Sequence, residues 1–589
     1  MESAEKMGSG DAHGPAHIEN EHDQVSRTGP PRQASMVSRR LSEAQAIKLA
    51  EDDMAVVDEE IAEFEAELEA NPIKSSFLNP QLSFNDPRHF TWLLVGFASM
   101  GGMLSGLDQS VISGALLYMP DDLHLSTSQI SLTSSAVPLG AIGGALILGP
   151  CNELVGRKMA IIISLLLYTV GGALEAGAIN FGMIVAARVI LGMGLGLEGG
   201  TVPVYVAESV EKKYRGNLVS LYQFMIAFGE VIGYVVAAIF VNVPKGSWRY
   251  MLGSSLVFST IMLVGMIYMP ESPRMLMHQG KRLEAFAVWK RIRGLERPEA
   301  RKEFFIMHHA LDAQAAAPEE GVSTRRKFVW LDFFTNPRAR RSIVYANIMI
   351  ALGQLTGINS IMYYMSTLMA QIGFDKKTAV FMSLVGGGSL LLGTIPGVLY
   401  MEKFGRRFWA NTMLPCFFIG LVLVGVSYQL TSFTATEGVY LTGIILYNGF
   451  FGSYACLTWV LPSEVFPTYL RSYGMESTDV NLFFGSWLVT YFFSDMQRAM
   501  TKTGLTLGFY GGIAVLGWFY QLLFMPETKN KTLEEIDLIF SQPTSELVKQ
   551  NLKNIAATMS DLAHFRFRRV FSPVEESHEP ERQVKDVKV

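Results

Sequence analysis

Residues 202–216 read VPVYVAESVEKKYRG, and residues 458–472 read TWVLPSEVFPTYLRS. In the first stretch Glu208 is followed seven positions later by Arg215, and in the second Glu464 is followed seven positions later by Arg471. The two stretches lie 256 positions apart. One shared pair of charges means little, so a repeat can be inferred only if other motifs show a similar offset.

Two further pairs of motifs support such a repeat. PESPR begins at Pro270 and PETK begins at Pro526, again 256 positions apart. GRK at 156–158 and GRR at 405–407 are 249 positions apart. Three pairs in nearly one register indicate two duplicated halves. Duplicated halves joined by a long central connection are typical of secondary transporters, which bind their substrate between the halves.

The composition places these halves in a membrane. Of the 589 residues 49% are hydrophobic and only 17% are charged, whereas soluble globular chains carry about 25% charged residues. Long stretches between Phe90 and Met525 have almost no charge, while both ends and one central segment hold most of it. This distribution excludes a large soluble enzyme and a disordered scaffold, and it indicates a polytopic membrane protein.

Several other classes of function lack support in the sequence. The net charge of −5 predicts no nucleic-acid partner. Cys151, Cys416 and Cys456 form no spacing motif, so neither a disulfide framework nor a zinc site is expected. All ten histidines lie outside the apolar runs, which excludes an intramembrane histidine relay and haem ligation. With no nucleophile–base pair either, the sequence predicts no enzyme, no metal and no cofactor.

Apolar runs of the length that a transmembrane helix needs, about 20 residues, occur twelve times. They lie near 91–118, 130–150, 160–178, 181–207, 218–241, 249–269, 343–371, 378–400, 408–430, 439–463, 473–493 and 505–525. The prediction is an all-α membrane protein with twelve transmembrane helices in two six-helix bundles.

The distribution of lysine and arginine predicts the orientation in the membrane. These residues follow the second, fourth and eighth runs and are frequent in the central segment, whereas the loops 119–129 and 431–438 contain neither. By the positive-inside rule the basic loops face the cytosol. An even number of spans then places both termini in the cytosol.

The predicted domains follow from these runs. They are a cytosolic N-terminal tail at 1–88, a six-helix bundle at 89–269, a cytosolic helical linker at 270–341, a six-helix bundle at 342–525 and a cytosolic C-terminal tail at 526–589. The N-terminal tail is predicted to be mostly disordered, with an acidic helix at 42–70 that begins at Ser42. We expect the acidic helix to be a solvated surface helix without a catalytic role.

Nine motifs, in order, resemble those of the sugar porter family within the major facilitator superfamily. They are GLDQSVISGAL (106–116), GPCNELVGRK (149–158), RVILGMGLG (188–196), VPVYVAESVEKKYRG (202–216), PESPR (270–274), GQLTGINSIMYY (353–364), MEKFGRR (401–407), TWVLPSEVFPTYLRS (458–472) and PETK (526–529). The resemblance covers about residues 90–530. It implies the major facilitator fold and transport by alternating access.

A neutral sugar or polyol needs many hydrogen-bonding partners, so its site should contain amides and aromatic side chains. Gln223 in the fifth predicted helix and Gln354 and Asn359 in the seventh are candidates by position, and Trp459 in the tenth offers an aromatic face. The resemblance implies that these positions, together with Tyr363, line the sugar site. The alternative role for each is a hydrogen bond between helices.

Acidic residues inside the predicted helices are costly and therefore informative. Glu230 lies seven residues after Gln223, which is a rotation of about −20° on a helix, so we expect both side chains on one face and Glu230 in the substrate site. A carboxylate can accept hydrogen bonds from two vicinal hydroxyl groups of a polyol. Glu198, Glu476 and Asp479 are also buried in predicted helices, and the sequence assigns no role to them.

Asp108 and Arg188 match the aspartate and arginine that proton-coupled members of the resembled family use. A buried carboxyl group that exchanges an arginine partner for a proton changes its charge with conformation. This predicts proton symport, with a structural ion pair as the alternative.

The sequence departs from the family pattern around the predicted site. Gly353 replaces a glutamine, Cys456 and Thr458 replace prolines, and Leu482 and Phe483 stand where the family has an amide and a tryptophan. Hydrogen-bonding side chains are thereby lost, so the pocket is expected to be reshaped. This favours inositol-like polyols over glucose. Gly357, within the seventh run, is expected to let that helix unwind around the substrate.

Charged residues that flank the runs on the predicted cytosolic side form another set. The resemblance implies a cytosolic gate, which holds the halves together in the outward-open state, made of Arg157, Glu208, Arg215, Glu271, Arg274, Arg406, Glu464, Arg471 and Glu527. Glu402, and Asn152 with Glu153, stand where the family has aspartates.

Together these features predict a secondary active transporter that imports a monosaccharide or polyol by proton symport. The expected partners are the small-molecule substrate, the proton and the lipid bilayer, with a monomer favoured and the plasma membrane as the location. Two alternatives remain open: a facilitator in which Asp108 is structural, and a sugar receptor that signals through its tails without net transport.

Overall fold

The computed structural model describes residues 48–50, 52–73, 87–211, 215–316, 329–467, 470–529, 531, 536 and 539–564. In these ranges the regular secondary structure is entirely helical. The predicted disorder at 1–41 lies outside the described residues, as does the C-terminal tail beyond residue 564.

The first long helix, α1 (Met54–Ala70), precedes the apolar part of the chain. The side chain of Asp53 caps it by accepting a hydrogen bond from the backbone N–H of Ala55 (3.0 Å). Residues 48–50 and 52, before this cap, are also helical, whereas residues 42–47 and 51 of the predicted 42–70 helix lie outside the described part of the chain. Val57, Ile61 and Phe64 are buried. They lie on one face of α1, because residues three and four apart share a helix face.

The first half of the apolar chain forms nine helices in the described residues. They are α2 (Pro87–Ala115), α3 (Met119–Leu123), α4 (Thr127–Leu146), α5 (Leu148–Leu154), α6 (Arg157–Ala176), α7 (Phe181–Ser209), α8 (Arg215–Phe240), α9 (Ser247–Gly253) and α10 (Ser255–Tyr268). Ser126 and Gln129 form a capping box at the start of α4. Helices α4 and α7 touch through glycine: a Cβ atom on Gly144 would lie 2.0 Å from the carbonyl oxygen of Met193.

Four helices follow on one side of the molecule, which we call the linker face. They are α11 (Pro273–His278), α12 (Arg282–Arg293), α13 (Pro298–Ala316) and α14 (Asp332–Thr335). Helix α1 packs against α12 and α13. Phe64 stacks on Phe286 with ring centroids 5.3 Å apart and meets the edge of Phe304 at 5.4 Å.

The polar side of α1 also contacts this linker. The carboxylate of Glu60 bridges the Nδ1 atom of His308 and the Nε2 atom of His309, both at 2.8 Å. The three ligand atoms lie within 4.8 Å of one another and could hold a metal ion, a grouping that the sequence analysis did not foresee. The acidic helix is thus a docked element, not the fully solvated helix that the sequence predicted.

The second half is built from the helices that follow α14. They are α15 (Pro337–Gln354), α16 (Ile358–Tyr363), α17 (Met365–Ile372), α18 (Lys376–Phe404), α19 (Arg406–Ser427), α20 (Phe433–Val465), α21 (Arg471–Tyr491), α22 (Phe493–Thr503) and α23 (Gly511–Phe524), with a π-helical segment at Gly504–Tyr510 before α23. Helix α24 (Thr544–Ala563) follows and packs against α23.

Nine helical segments in the described residues are long and apolar enough to cross a membrane, and α4 with α5, bent by 46°, makes a tenth. The other two predicted spans correspond to α15–α17 and to α21. The first is broken into three short helices, and the second carries Glu476 and Asp479 in its interior. Polar or broken segments of this kind are tolerated in a membrane where they line a cavity.

The break between α15 and α16 occurs at Gly357, which confirms the prediction that the seventh span unwinds there. Gly357 has a φ angle of +87°, a conformation that is costly for other residues. A Cβ atom at this position would also lie 2.4 Å from the ring of Tyr510.

Contacts between the halves follow the internal repeat. Helix α8 packs against α18, and α21 packs against α4. On the side opposite the linker face, Lys376 forms an ion pair with Asp121 (2.9 Å). On the linker face the hydroxyl group of Tyr473 donates a hydrogen bond to Glu153 (2.9 Å). The halves therefore touch on both sides of the space between them.

Candidate functional site

A cavity lined by residues of both halves lies between them, which is where secondary transporters bind their substrate. Helices α2, α4, α7 and α8 line it from the first half, and α15, α16, α18, α20 and α21 line it from the second. The lining combines apolar side chains with amide, hydroxyl and carboxyl groups.

All six side chains predicted to bind substrate line this cavity: Gln223, Glu230, Gln354, Asn359, Tyr363 and Trp459. The indole N–H of Trp459 donates a hydrogen bond to Oε1 of Gln223 (2.8 Å), which links α20 to α8 across the halves. Tyr222 meets the Trp459 ring edge to face at 4.8 Å. The aromatic face and the amide are thus held in place by each other.

A second amide chain crosses the cavity, and one of its members was missed by sequence reasoning. Gln109 donates a hydrogen bond to Oδ1 of Asn359 (3.1 Å), and Asn359 in turn donates to Oε1 of Gln354. Gln109 lies in α2, whereas the other two lie in α15 and α16. Its position next to Asp108 in the motif GLDQSVISGAL is the signal that could have identified it.

Glu230 reaches the same cavity from α8, so its predicted face is confirmed. The side chain is 2% exposed, and its Oε2 atom has no hydrogen-bond partner among the described residues. A buried carboxyl oxygen without a partner is costly unless a ligand or water occupies the space beside it. Glu230 therefore brings an acceptor oxygen without a partner in the described residues to the wall of the cavity.

The departures from the family pattern have different consequences. Thr458, Leu482 and Phe483 line the cavity, so the missing hydrogen-bonding groups change its wall directly. Gly353 and Cys456 are not among the lining residues. The reshaping therefore comes from α20 and α21.

Asp108 and Arg188 form a buried ion pair, as the predicted coupling site requires. The Nη2 atom of Arg188 lies 3.3 Å from Oδ2 of Asp108, and both side chains are almost fully buried. Glu175 is a second partner, with its Oε1 atom 2.5 Å from Nη1 of Arg188. Arg188 also donates from Nε to the carbonyl oxygen of Thr133 (2.8 Å).

The sequence analysis did not identify Glu175, because this residue lies in the last turn of α6, where a glutamate is typical of the polar end of a transmembrane helix. Its partner is 13 positions away on the next helix, a pairing that no periodicity within one helix predicts. The resulting triad has two carboxyl groups and one guanidinium group.

On the linker face, the first half contains one of the predicted gate networks. Arg157 pairs with Glu208 (3.0 Å), and Glu208 accepts a hydrogen bond from Ser272. Glu271 accepts hydrogen bonds from the backbone N–H groups of Arg157 (3.0 Å) and Lys158 (3.1 Å). Arg274, in α11, interacts electrostatically with Glu208, whereas the side chain of Arg215 lies outside the described residues.

The second half repeats this arrangement. Arg406 pairs with Glu464 (2.5 Å) and with Glu402 (2.7 Å). Glu527 accepts a hydrogen bond from the backbone N–H of Arg406 (3.0 Å), and Thr528 donates to Glu464 (2.7 Å). Arg471 is the first residue of α21.

In the described residues these ion pairs join helices within each half. Contact across the halves comes instead from Gly216 of α8, where a Cβ atom would lie 2.0 Å from Oε1 of Glu402. Glu153, at the position that corresponds to Glu402 in the repeat, bonds to Tyr473 of the other half. The predicted gate residues thus sit next to the interface between the halves.

Comparisons with known proteins agree with this architecture. The family model for sugar (and other) transporters matches residues 94–540. The chain is 62% identical over 534 residues to the myo-inositol transporter FST1 of Gibberella moniliformis, an alignment that covers 90% of this chain and 92% of that protein. It is 28% identical over 470 residues to the arabinose-proton symporter of Escherichia coli K12, covering 78% and 96%.

The fold also matches a solved structure of the proton:xylose symporter XylE, a major facilitator superfamily protein, bound to 6-bromo-6-deoxy-D-glucose. The TM-score is 0.67 at 25% sequence identity, and the match covers 77% of this chain and 99% of that chain. The predicted all-helical fold of this superfamily is thereby confirmed.

Proposed function

We propose that this chain, which belongs to the sugar transporter family of the major facilitator superfamily, imports myo-inositol or a closely related cyclic polyol by proton symport. The observation that carries the proposal is the cavity between the halves, to which each half contributes amide side chains. The name of the FST1 relative, a myo-inositol transporter, supports the choice of substrate.

The chemistry of the cavity suits a neutral polyol. Such a ligand presents hydroxyl groups around its whole rim, each of which donates and accepts hydrogen bonds. Gln223 and Gln354 supply donors and acceptors from opposite halves, and Glu230 supplies acceptors. The ring of Trp459 provides an apolar face for the carbon–hydrogen side of the ligand. Leu482 and Phe483 line the cavity with apolar groups at positions where the resembled family has an amide and a tryptophan.

Coupling to protons rests on the triad of Asp108, Glu175 and Arg188. One guanidinium charge faces two carboxyl groups, so the triad is electrically neutral only when one of the carboxyl groups carries a proton. We assign that proton to Asp108, whose separation from Arg188 is longer (3.3 Å) than that of Glu175 (2.5 Å). Arg188 then remains paired with Glu175 in both protonation states.

The triad is connected to the substrate site through the chain itself. Asp108 is followed by Gln109, whose side chain reaches Asn359 of the other half (3.1 Å). A change in the position of Asp108 on proton release therefore changes a hydrogen bond that both halves and the substrate share. This gives proton binding and substrate binding a direct route of coupling.

We assign the linker face to the cytosol and both termini with it, in a plasma-membrane transporter. This follows the lysine and arginine excess of the loops on that face. The bundles then occupy residues 89–269 and 342–525, with the linker 270–341 and both tails in the cytosol. The Arg157 and Arg406 networks border the cytosolic interface, where they stabilise the closed arrangement of the helix ends.

A facilitator is the second candidate, since the same triad is also a satisfied structural ion cluster. Counterflow of radiolabelled myo-inositol, glucose, xylose and arabinose in proteoliposomes tests the substrate, and uptake driven by an imposed pH gradient tests the coupling. We expect counterflow for myo-inositol and accumulation when the outside is acidic. Counterflow without accumulation would identify the facilitator, and no counterflow by folded protein would contradict transport of these substrates.

A further inference from the structure

Helix α21 carries a stripe of side chains that runs from the linker face to the cavity. Tyr473, Glu476, Asp479, Phe483 and Ser486 are spaced by three or four residues and therefore share one face of the helix. Tyr473 contacts Glu153 at the linker face, while Phe483 and Ser486 line the cavity. Asp479 is one turn, about 6 Å, below the cavity wall.

Two acids of this stripe belong to the second half but are enclosed by glycines of the first half. A Cβ atom at Gly200 of α7 would lie 2.3 Å from Oδ2 of Asp479, and one at Gly149 of α5 would lie 2.4 Å from Oε2 of Glu476. Side chains larger than hydrogen at those two positions would push α21 away. The glycines thus allow the interface to close tightly around both carboxyl groups.

Asp479 is enclosed without compensation. It is 2% exposed, and its Oδ2 atom has no hydrogen-bond partner among the described residues. The Asp108 carboxyl group, by contrast, lies beside Arg188. A carboxylate that is buried without a cation or a donor is strongly disfavoured relative to the neutral acid.

Among the residues that the structure describes, no cationic group interacts with Asp479. On its own helix the neighbour is Glu476. Tyr222 of α8 interacts with both Asp479 and Glu198 of α7, and Glu153 of α5 lies beyond Glu476 at the linker face. Helix α4 has no ionisable residue.

The arginines of α15, which also packs against α21, are engaged elsewhere in the part of the chain that the structure describes. Arg338 donates to Ser342 and to the carbonyl oxygen of Val465. Arg341 donates to the carbonyl oxygens of Phe540 and Ser541, and Arg340 is exposed.

We propose that Asp479 is a proton-binding site, separate from the Asp108 triad, which binds a proton when the linker face closes and releases it when that face opens. In alternating access the halves move apart on one side as largely rigid bodies. Separation of α21 from α4, α5 and α7 exposes Asp479 to water, where the O–H bond breaks and the proton passes to a water molecule. Closure requires the reverse step.

The consequence is a closed state whose population depends on the pH at the linker face. An aspartic acid in water has a pKa of about 3.9, so each unit of pH above that value lowers its protonated fraction about tenfold. The ratio of closed to open molecules should therefore fall by up to about tenfold per pH unit. Replacement of Asp479 by asparagine, which mimics the neutral acid in shape, should remove this part of the dependence.

The test measures the opening of the linker face directly, in detergent and without substrate. Spin labels are attached at cysteines that replace Leu154 and Phe334, which are 80% and 70% exposed, in full-length protein with Cys151, Cys416 and Cys456 changed to serine. Leu154 belongs to the first half, and Phe334 lies in the linker helix α14, which packs against α15 of the second half. Double electron–electron resonance measurements of the distance between the two labels, made between pH 5 and pH 8, then report the closed and open populations. Because no proton gradient or substrate is used, the result is independent of the proposed symport.

In the parent protein we expect the closed distance to dominate at pH 5. The ratio of closed to open molecules should then fall by up to about tenfold for each unit by which the pH rises. Asp479→Asn should keep the closed distance at pH 8, and Asp479→Ser, a smaller neutral side chain, should do the same. Asp495→Asn, the same change at an exposed aspartate, should behave like the parent. A parent without pH dependence, or an Asp479→Asn protein with the slope of the parent, would overturn the proposal.

Discussion

Gln223 and Gln354 bring an amide from each half of the molecule to the same cavity. Gln223 is held by the indole of Trp459 (2.8 Å), and Gln354 accepts a hydrogen bond from Asn359. Each amide group can form further hydrogen bonds in addition to this one. That remaining capacity is what a polyol would use.

Gln223→Ala and Gln354→Ala should therefore each weaken substrate binding while leaving the protein folded. Loss of one hydrogen bond to a neutral ligand costs about 0.5–1.5 kcal/mol, which corresponds to an increase of about two- to tenfold in the apparent substrate constant. Counterflow measured over a range of substrate concentrations gives this constant. Gln429→Ala, at the opposite face beside Thr503, is the matched control, and unchanged constants in both cavity variants would place the substrate elsewhere.

Single side chains were predictable from the sequence where one helix sufficed to place them. Gln223 and Glu230 share a helix, so their spacing predicted one face, and both line the cavity. Gln109 and Glu175 were not predicted, because their partners Asn359 and Arg188 lie on other helices. The pairing of helices is set by tertiary packing, which the periodicity of a single helix does not contain.

Among the elements, α1 has the most specific contact with the linker. Burial of Glu60 opposes its ionisation, but the hydrogen bonds and charges of His308 and His309 outweigh this effect and lower the pKa of Glu60 from 4.5 to about 2. A carboxyl group whose pKa is lowered on docking stabilises the docked state above its ordinary pKa and loses that contribution as the pH falls. Docking of α1 should thus weaken between about pH 4.5 and pH 2.

Glu60→Gln should release α1 at neutral pH. The lowered pKa corresponds to a contribution on the order of 3 kcal/mol, so the backbone amides of residues 54–70 should exchange about a hundredfold faster. Hydrogen–deuterium exchange of the full chain measures this directly. Glu63→Gln, an exposed glutamate on the same helix, should leave exchange unchanged, and equal exchange in the two variants would show that the Glu60 contacts do not hold the helix.

The break between α15 and α16 depends on the left-handed backbone of Gly357. Gly357→Ala should lower the thermal stability, because an alanine at this φ costs about 1–2 kcal/mol and its Cβ would lie 2.4 Å from the Tyr510 ring. Gly388→Ala in α18, where no atom lies within 4 Å of the added carbon, is the matched control. Thermal unfolding in detergent should separate the two, and equal melting temperatures would show that the break tolerates a side chain.

The apolar runs predicted the element types well but not their continuity. The run at 343–371 predicted one span, whereas the structure divides it into α15, α16 and α17. Hydropathy measures the length of an apolar segment and is insensitive to a single glycine with positive φ. The glycine at position 357 supplied that information, because glycine adopts positive φ angles without the cost that a side chain imposes.

At the scale of the whole molecule the internal repeat is reproduced in the charged contacts of the linker face. Glu271 and Glu527 accept hydrogen bonds from the first backbone N–H groups of α6 and α19. Arg157 and Arg406 pair with glutamates of α7 and α20. The offset in sequence could predict this equivalence because both copies retain the same residue types. The second partner of Arg406, Glu402, has no such counterpart in the first half, where Glu153 bonds to Tyr473 instead.

In the proposed mechanism the Asp108 triad couples transport to protons. Asp108→Asn keeps the shape of the side chain but mimics the protonated acid in every state. The variant therefore cannot release a proton from this site before the empty carrier returns to its outward-facing state. Exchange of labelled for unlabelled substrate does not require that return. Removal of the Asp108 charge leaves Arg188 paired with Glu175 (2.5 Å), which should limit the loss of stability.

The decisive measurement compares uphill uptake with counterflow of radiolabelled myo-inositol in vesicles that carry an imposed pH gradient, acidic outside. The parent protein and Asp495→Asn should show both activities, whereas Asp108→Asn should retain most of the counterflow and lose accumulation. If Asp108→Asn still accumulates substrate in response to the gradient, the coupling proton is not carried by Asp108.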